Sequence, residues 1–201
     1  MGRRALIFIS FISFISCTKI DTHHDKPWKT YTIEAGEHFS SPSYFEIYTA
    51  KTRIDSGCIM LDSSMIYDLE STDQLDFNKF RGFRFGAGTV DGVPKKTAQV
   101  GWRWNTKDSC FEVGPYYNNH PTKLIDYPDS NFILCFKPGE IVHFVRRYDR
   151  PSGEAFIHIW NDSTLIVSHR FMGHYNLYYS TGFYFGGNNS APHTMKMKIK
   201  D

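Results

Sequence analysis

The stretch Gln99-Val100-Gly101-Trp102-Arg103-Trp104-Asn105 reads as a β-strand. Side chains alternate across a strand, so Val100, Trp102 and Trp104 share one face and Gln99, Gly101, Arg103 and Asn105 the other. Indoles bury large apolar areas, which assigns the tryptophan face to a core and leaves a polar face outward. Thr194–Lys200 repeats the pattern: Met195, Met197 and Ile199 alternate with Lys196, Lys198 and Lys200. Further runs rich in Tyr, Phe, Ile, Val and Thr stand between Gly, Pro, Asn and Asp clusters. They predict strands near 30–34, 44–52, 57–62, 78–85, 109–114, 122–126, 141–148, 155–161, 165–171 and 182–185. Arg150-Pro151-Ser152-Gly153 and Asn161-Asp162-Ser163 are turns, and 82–96 is a long loop or wide hairpin. Only Ser63–Glu70 has room for a short helix. About a dozen strands without helix alternation predict an all-β fold, a two-sheet antiparallel jelly-roll or concanavalin-like β-sandwich.

Composition fits that class. The chain has 201 residues, 16% of them aromatic (17 Phe, 12 Tyr, 4 Trp), too many for a disordered chain. Length allows one large domain. A formal charge of +2 lacks the basic excess that a nucleic-acid backbone binder needs.

Residues 1–16 stand apart from the fold. Met1-Gly2-Arg3-Arg4 is a basic start, and Ala5 to Ile15 is an apolar stretch too short to span a membrane. It ends Phe14-Ile15-Ser16-Cys17 and turns polar at Thr18. A small residue before a cysteine at the end of such a stretch resembles the bacterial lipoprotein box, with Phe14 where Leu is usual. The resemblance implies lipidation (palmitate among the acyl chains) at Cys17 and cleavage after Ser16. The chain is therefore read as 1–16 signal peptide, 17–29 lipidated tether and 30–201 β-sandwich domain. Without residues 1–16, 21 basic and 21 acidic residues remain, so the charge becomes zero. Thr18 after the cysteine favours the outer membrane, with surface or periplasmic orientation left open. Of the other cysteines, Cys58, Cys110 and Cys135 sit in apolar contexts. They are expected to be three buried thiols, with one disulfide as the alternative.

Candidate ligand-binding residues follow from the polar strand face. Arg103 and Asn105 are joined by Glu112 on the next predicted strand and by Tyr116 and Tyr117 beyond it. Planar polar groups hydrogen-bond sugar hydroxyls, and aromatic faces stack on pyranose rings. The plainer reading makes Arg103 and Glu112 a cross-strand ion pair. His143 and His158 lie mid-strand, as does His169. They supply candidate binding groups, but their parity defines no metal set and no cofactor is implied. Arg, Gln or Asn, His and Tyr are the residue types for proton abstraction beside a sugar carboxylate. The close carboxylate pair Asp68-Leu69-Glu70 falls in a loop rather than a strand. The Glu-x-Asp-x-x-Glu motif of a sandwich glucanase family and the signatures of the sandwich alginate lyases are absent. No catalytic residue is assigned on the sequence.

Val100–Asn105 and Gly182-Phe183-Tyr184-Phe185-Gly186-Gly187-Asn188-Asn189-Ser190-Ala191-Pro192-His193 resemble a group of uncharacterised Bacteroidetes outer-membrane lipoproteins. That group carries a concanavalin-like or lyase-like β-sandwich. Its final hairpin reads approximately Tyr-Phe-Gly-Gly-Asn-x-x-Ala-Pro-His-Asp, and Thr194 departs at the last position. The expectation is a lipid-anchored outer-membrane lipoprotein that binds a polysaccharide or another exterior ligand without catalysis. Two alternatives stand beside it: an accessory subunit with an outer-membrane protein partner, and a divergent polysaccharide lyase or glycoside hydrolase. Replacing the acceptor sulfur by Cys17→Ala is expected to abolish incorporation of labelled palmitate and to move the protein from the membrane fraction to the soluble one.

Overall fold

The computed structural model describes residues 26–86, 89–90, 93–94, 96–118 and 132–201. The lipidation motif at Cys17 and the strand expected at 122–126 fall outside them. Two six-stranded antiparallel sheets face each other across an aromatic core. The strands are β1 (Lys29–Ile33), β2 (Phe45–Tyr48), β3 (Thr52–Met60), β4 (Asn78–Phe85), β5 (Thr89–Val90), β6 (Val93–Pro94) and β7 (Thr97–Asn105). They continue as β8 (Cys110–Asn118), β9 (Leu134–Phe136), β10 (Ile141–Asp149), β11 (Glu154–Trp160), β12 (Leu165–Phe171), β13 (Tyr178–Thr181) and β14 (Met195–Lys200).

One sheet runs β1-β14-β3-β10-β11-β12, the other β2-β13-β4-β7-β8-β9, and β5 and β6 form a small ribbon at the tip of the wide β4–β7 hairpin. The two ends of the chain interleave: β14 lies between β1 and β3, and β13 between β2 and β4. This nesting makes the fold a jelly-roll sandwich, the class that strand spacing predicts.

Packing follows the alternation. In β7, Ala98, Val100, Trp102 and Trp104 point inward; Trp102 meets Tyr67, Phe80 and Phe111 at ring-centroid distances of 5.8–6.0 Å. From the facing sheet, Ile59, Val142, Phe144, Tyr148, Ile157, Ile159, Met195, Met197 and Ile199 complete the core. Local signals close the hairpins. Asn105 Oδ1 accepts from the Lys107 and Asp108 amides, and Asn161 Oδ1 from those of Ser163 and Thr164. Gly153, at φ +72°, ends the turn between β10 and β11.

Three expectations change. The 63–70 segment forms no α-helix: one 3-10 turn spans Ser63–Met65 and another Thr72–Leu75. Asp62 accepts from the Ser64 amide at 2.8 Å to start the first turn, but Ile66 at ψ 129° returns the chain to an extended path. The strand expected at 182–185 lies earlier, at Tyr178–Thr181, and Tyr184 makes only isolated bridges to Phe39 and Lys79.

The third change concerns the thiols. Cys110 and Cys135 form a disulfide, because the antiparallel pairing of β8 with the short edge strand β9 sets their Cα atoms 5.6 Å apart. Cys58 is half-buried, with Sγ 3.2 Å from His143 Nδ1. The disulfide closes a loop with a sequence separation of 25, for which chain entropy implies about 3 kcal/mol of stabilisation. A non-reducing peptide map is expected to recover Cys110 linked to Cys135, and reduction to lower the unfolding free energy in urea by about 3 kcal/mol.

Candidate functional site

The outward face of the second sheet carries a polar field built by register. Across neighbouring strands Tyr179 pairs with Arg84, Arg84 with Thr97, and Thr97 with Asn118. In the adjacent row Gly82 pairs with Gln99 and Gln99 with Tyr116. A shift in the β4–β7 register between Lys79 and Gly82 then sets Lys79 opposite Gly101. These rows converge on one patch in the middle of the sheet: Lys79, Arg84, Thr97, Gln99, Tyr116 and Asn118.

The patch is unusually enclosed for the polar side of a strand. Thr97, Gln99 and Tyr116 are only 3%, 2% and 4% exposed. Arg84 Nε, Thr97 Oγ1 and Gln99 Nε2 are buried and have no hydrogen-bond partner among the described residues. A buried polar atom left without a partner costs about 1–3 kcal/mol, so three on one face set it apart from an ordinary solvated strand face.

Two glycines make the packing possible. A Cβ on Gly82 would lie 2.1 Å from Gln99 Cγ and 2.6 Å from its Cα, so the bare backbone lets Gln99 lie across β4. A Cβ on Gly186 would lie 2.5 Å from the Phe77 carbonyl oxygen and 2.6 Å from Lys79 Nζ. The Gly186-Gly187-Asn188-Asn189 turn is clamped there from both sides. Asn78 Oδ1 accepts from the Gly186 amide at 2.7 Å, and Asp73 Oδ2 accepts from the amides of Asn188 and Asn189. The C-terminal motif thus walls the lysine.

Lys79 lies between two rings, with Nζ 4.9 Å from the Tyr116 centroid and 5.6 Å from that of Tyr184. Burial pushes its pKa down to about 8, against the attraction of Asp76 and with help from the like charge of Arg84. Burial likewise disfavours the charged form of Arg84 and raises the Tyr184 hydroxyl. The patch therefore combines an amine that titrates at about 8, a guanidinium, an amide and a phenol ring.

Of the residues singled out on sequence grounds, only Tyr116 belongs to this patch. Arg103, Asn105 and Glu112 satisfy one another farther along the same face. Arg103 Nε donates to Glu112 at 2.6 Å and Nη1 to the Leu75 carbonyl at 2.6 Å, while Asn105 Nδ2 donates to Glu112 at 2.8 Å. The plainer reading, a cross-strand ion pair, describes them. Tyr117 points the other way, into the core, and its hydroxyl donates to the Ser168 carbonyl at 3.1 Å. His143 and His158 lie on the outward face of the other sheet, where His143 stacks on Trp160 at 5.5 Å. Burial lowers the pKa of His158. Sequence reasoning missed Lys79, Arg84, Thr97, Gln99 and Asn118. Gln99 was on the polar face of the opening strand, but nothing in the sequence reveals the bulge that aims Lys79.

No family model and no curated protein matches the chain. Among solved structures it is similar to peanut lectin bound to a 9-mer peptide (8% identity, 87% of this chain and 97% of that one, TM-score 0.39). It is also similar to winged bean acidic lectin complexed with methyl-α-D-galactose (8%, 86% and 98%, 0.39) and to a SAP-like pentraxin from Limulus polyphemus (11%, 86% and 73%, 0.35). The fold described above rests on its own strand pairing. Gly186→Ala is expected to lower stability by about 1–3 kcal/mol in urea unfolding, since the new methyl must displace Lys79 or the Phe77 carbonyl.

Proposed function

We propose that the polar face of the second sheet binds an acidic, uronate-bearing polysaccharide and cleaves it by β-elimination. The observation that carries this reading is the assembly, on one enclosed patch, of Lys79, whose pKa burial lowers to about 8, beside Tyr116, Gln99 and Arg84. The unpartnered donors Arg84 Nε and Gln99 Nε2 suit a sugar carboxylate, whose charge must be neutralised before the adjacent carbon gives up a proton. The neutral Lys79 amine takes that proton, and the electron pair left on the carbon forms a carbon–carbon double bond. The glycosidic C–O bond breaks, and the leaving oxygen receives a proton from the Tyr116 hydroxyl. One chain becomes two, one of them with an unsaturated uronate end; water and oxidant take no part.

In this reading the chain is an exported lipoprotein held at the outer membrane through Cys17, placing the sandwich where exterior polysaccharide is met. Support comes from the signal, the lipobox-like Ser16-Cys17 and the resemblance to Bacteroidetes lipoproteins carried by the two motifs. Non-catalytic glycan binding uses the same patch without the proton transfers. A lysine that titrates at about 8 gives the lyase a base above that pH, which binding alone does not need.

The test is depolymerisation of uronate-containing polysaccharides by the mature protein, followed by the ultraviolet absorbance of the unsaturated product. The rate is expected to rise with pH along a limb set by Lys79, whose amine must be neutral and titrates at about 8. Lys79→Ala is expected to lower kcat by about 100-fold or more while the protein stays folded. Binding without cleavage across the acidic glycans would return the patch to the non-catalytic role. Absence of both, with stoichiometric co-purification of an outer-membrane protein, would favour the accessory-subunit alternative.

A further inference from the structure

Between the two sheets, away from the patch, lies a cavity of about 250 Å³ lined by charged groups that face inward. Arg53 and Asp55 of β3 and Arg146 of β10 take core-facing positions from one sheet, and Arg81 of β4 enters from the other. Arg146 is 2% exposed. Its Nη2 donates to Asp55 Oδ2 at 2.9 Å, and its guanidinium packs 5.2 Å and 5.5 Å from the rings of Phe83 and Phe144. Its Nε and Nη1 have no hydrogen-bond partner among the described residues, and neither does Arg81 Nε. Arg81 otherwise pairs with Asp201, donates to the Tyr31 hydroxyl at 2.8 Å and lies 3.6 Å over the Tyr44 ring. Asp55 is shared with Arg53, which donates to it through Nε at 2.6 Å and reaches Glu46 at 3.6 Å. The lining thus brings the buried guanidinium groups of Arg81 and Arg146 together with the more exposed Arg53 and Lys26, beside Asp55 and Asp201; Lys26 donates to the Asp201 main-chain oxygen at 2.5 Å.

Two buried guanidinium groups, each paired with one carboxylate, still leave three nitrogens without a partner among the described residues, and such donors are the complement of an oxyanion. A guanidinium offers its donors in a planar fork, which matches carboxylate and sulfate oxygens. The volume equals that of roughly eight water molecules, enough for one small anion but too little for an oligosaccharide. We propose that this inter-sheet cavity is a binding site for a small carboxylate or oxyanion, separate from the polar face of the second sheet. Arg146 and Arg81 grip the anion from the two sheets, and Arg53 and Lys26 line the same cavity. Its occupant joins the sheets at the place where apolar packing is interrupted by charge.

The experiment is thermal unfolding of the mature protein in increasing sodium glucuronate or sodium sulfate, against sodium chloride at matched ionic strength. A saturable rise in Tm beyond the chloride control is expected for at least one of them. Glucuronate alone assigns a sugar carboxylate and sulfate alone an inorganic oxyanion; either supports the site. Arg146→Met, which keeps the length of the side chain without its donors, is expected to abolish the rise. Arg53→Gln is expected to weaken the apparent affinity about tenfold, the loss of one charge-assisted hydrogen bond. Lys79→Ala is expected to keep the rise intact, so that failure here and failure of the lyase reading are told apart. Arg53 is 38% exposed and tolerates substitution, so its variant decides if Arg146→Met does not fold. No saturable rise in the wild type, or the same rise in Arg53→Gln, overturns the proposal.

Discussion

The alternation of β7 is the constraint on which the rest depends. Once Trp102 is committed to the core among Tyr67, Phe80 and Phe111, every odd-numbered residue from Thr97 to Asn105 must face outward. A slip of one residue would turn the indoles into solvent and bury Gln99 and Arg103 among aromatics. Core and site are therefore two faces of one decision, and the burial of two tryptophans holds the outward polar groups in register. The bulge in β4 adds what β7 alone cannot. It lets Phe80 and Phe83 both reach the core while Lys79 and Arg84 emerge on the opposite side.

Much of the architecture is legible in the sequence because it rests on local period and turn chemistry. Val100, Trp102 and Trp104 on one face, the lysine-alternating last strand and the turns at Gly153 and Asn161 are all read from residues a few positions apart. The disulfide stands in the sequence only as an alternative without named partners, because it depends on β8 finding β9 across a long intervening segment, which no local pattern encodes. Lys79 and Arg84 were missed for a related reason. A lysine and an arginine within Asn78–Phe85 look like ordinary solvated charges until the bulge and the Gly186 turn enclose them. Arg103 and Glu112, conspicuous in the sequence, are conspicuous because they pair with each other.

The interior departs from a purely apolar sandwich in one region. Charged groups at Arg53, Asp55, Arg81 and Arg146 occupy core-facing positions that well-packed aliphatic residues would fill at lower cost. Paired guanidinium and carboxylate groups in such a setting fix geometry more than they add stability. Here they define how β3 and β10 face β4. The aromatic rings packed on Arg81 and Arg146 limit where those guanidinium groups can turn.

The interleaving of the chain ends has a consequence for how the molecule comes into being. β14 occupies the slot between β1 and β3, and β13 the slot between β2 and β4. Neither sheet can close until β13 and β14 have been made, and the pairings that close them join residues far apart in sequence. Such long-range pairing is slow to nucleate, because the loop entropy is lost before the contacts form. In a chain of this topology the closing pairings come late, when β13 and β14 reach the slots that the earlier strands leave open.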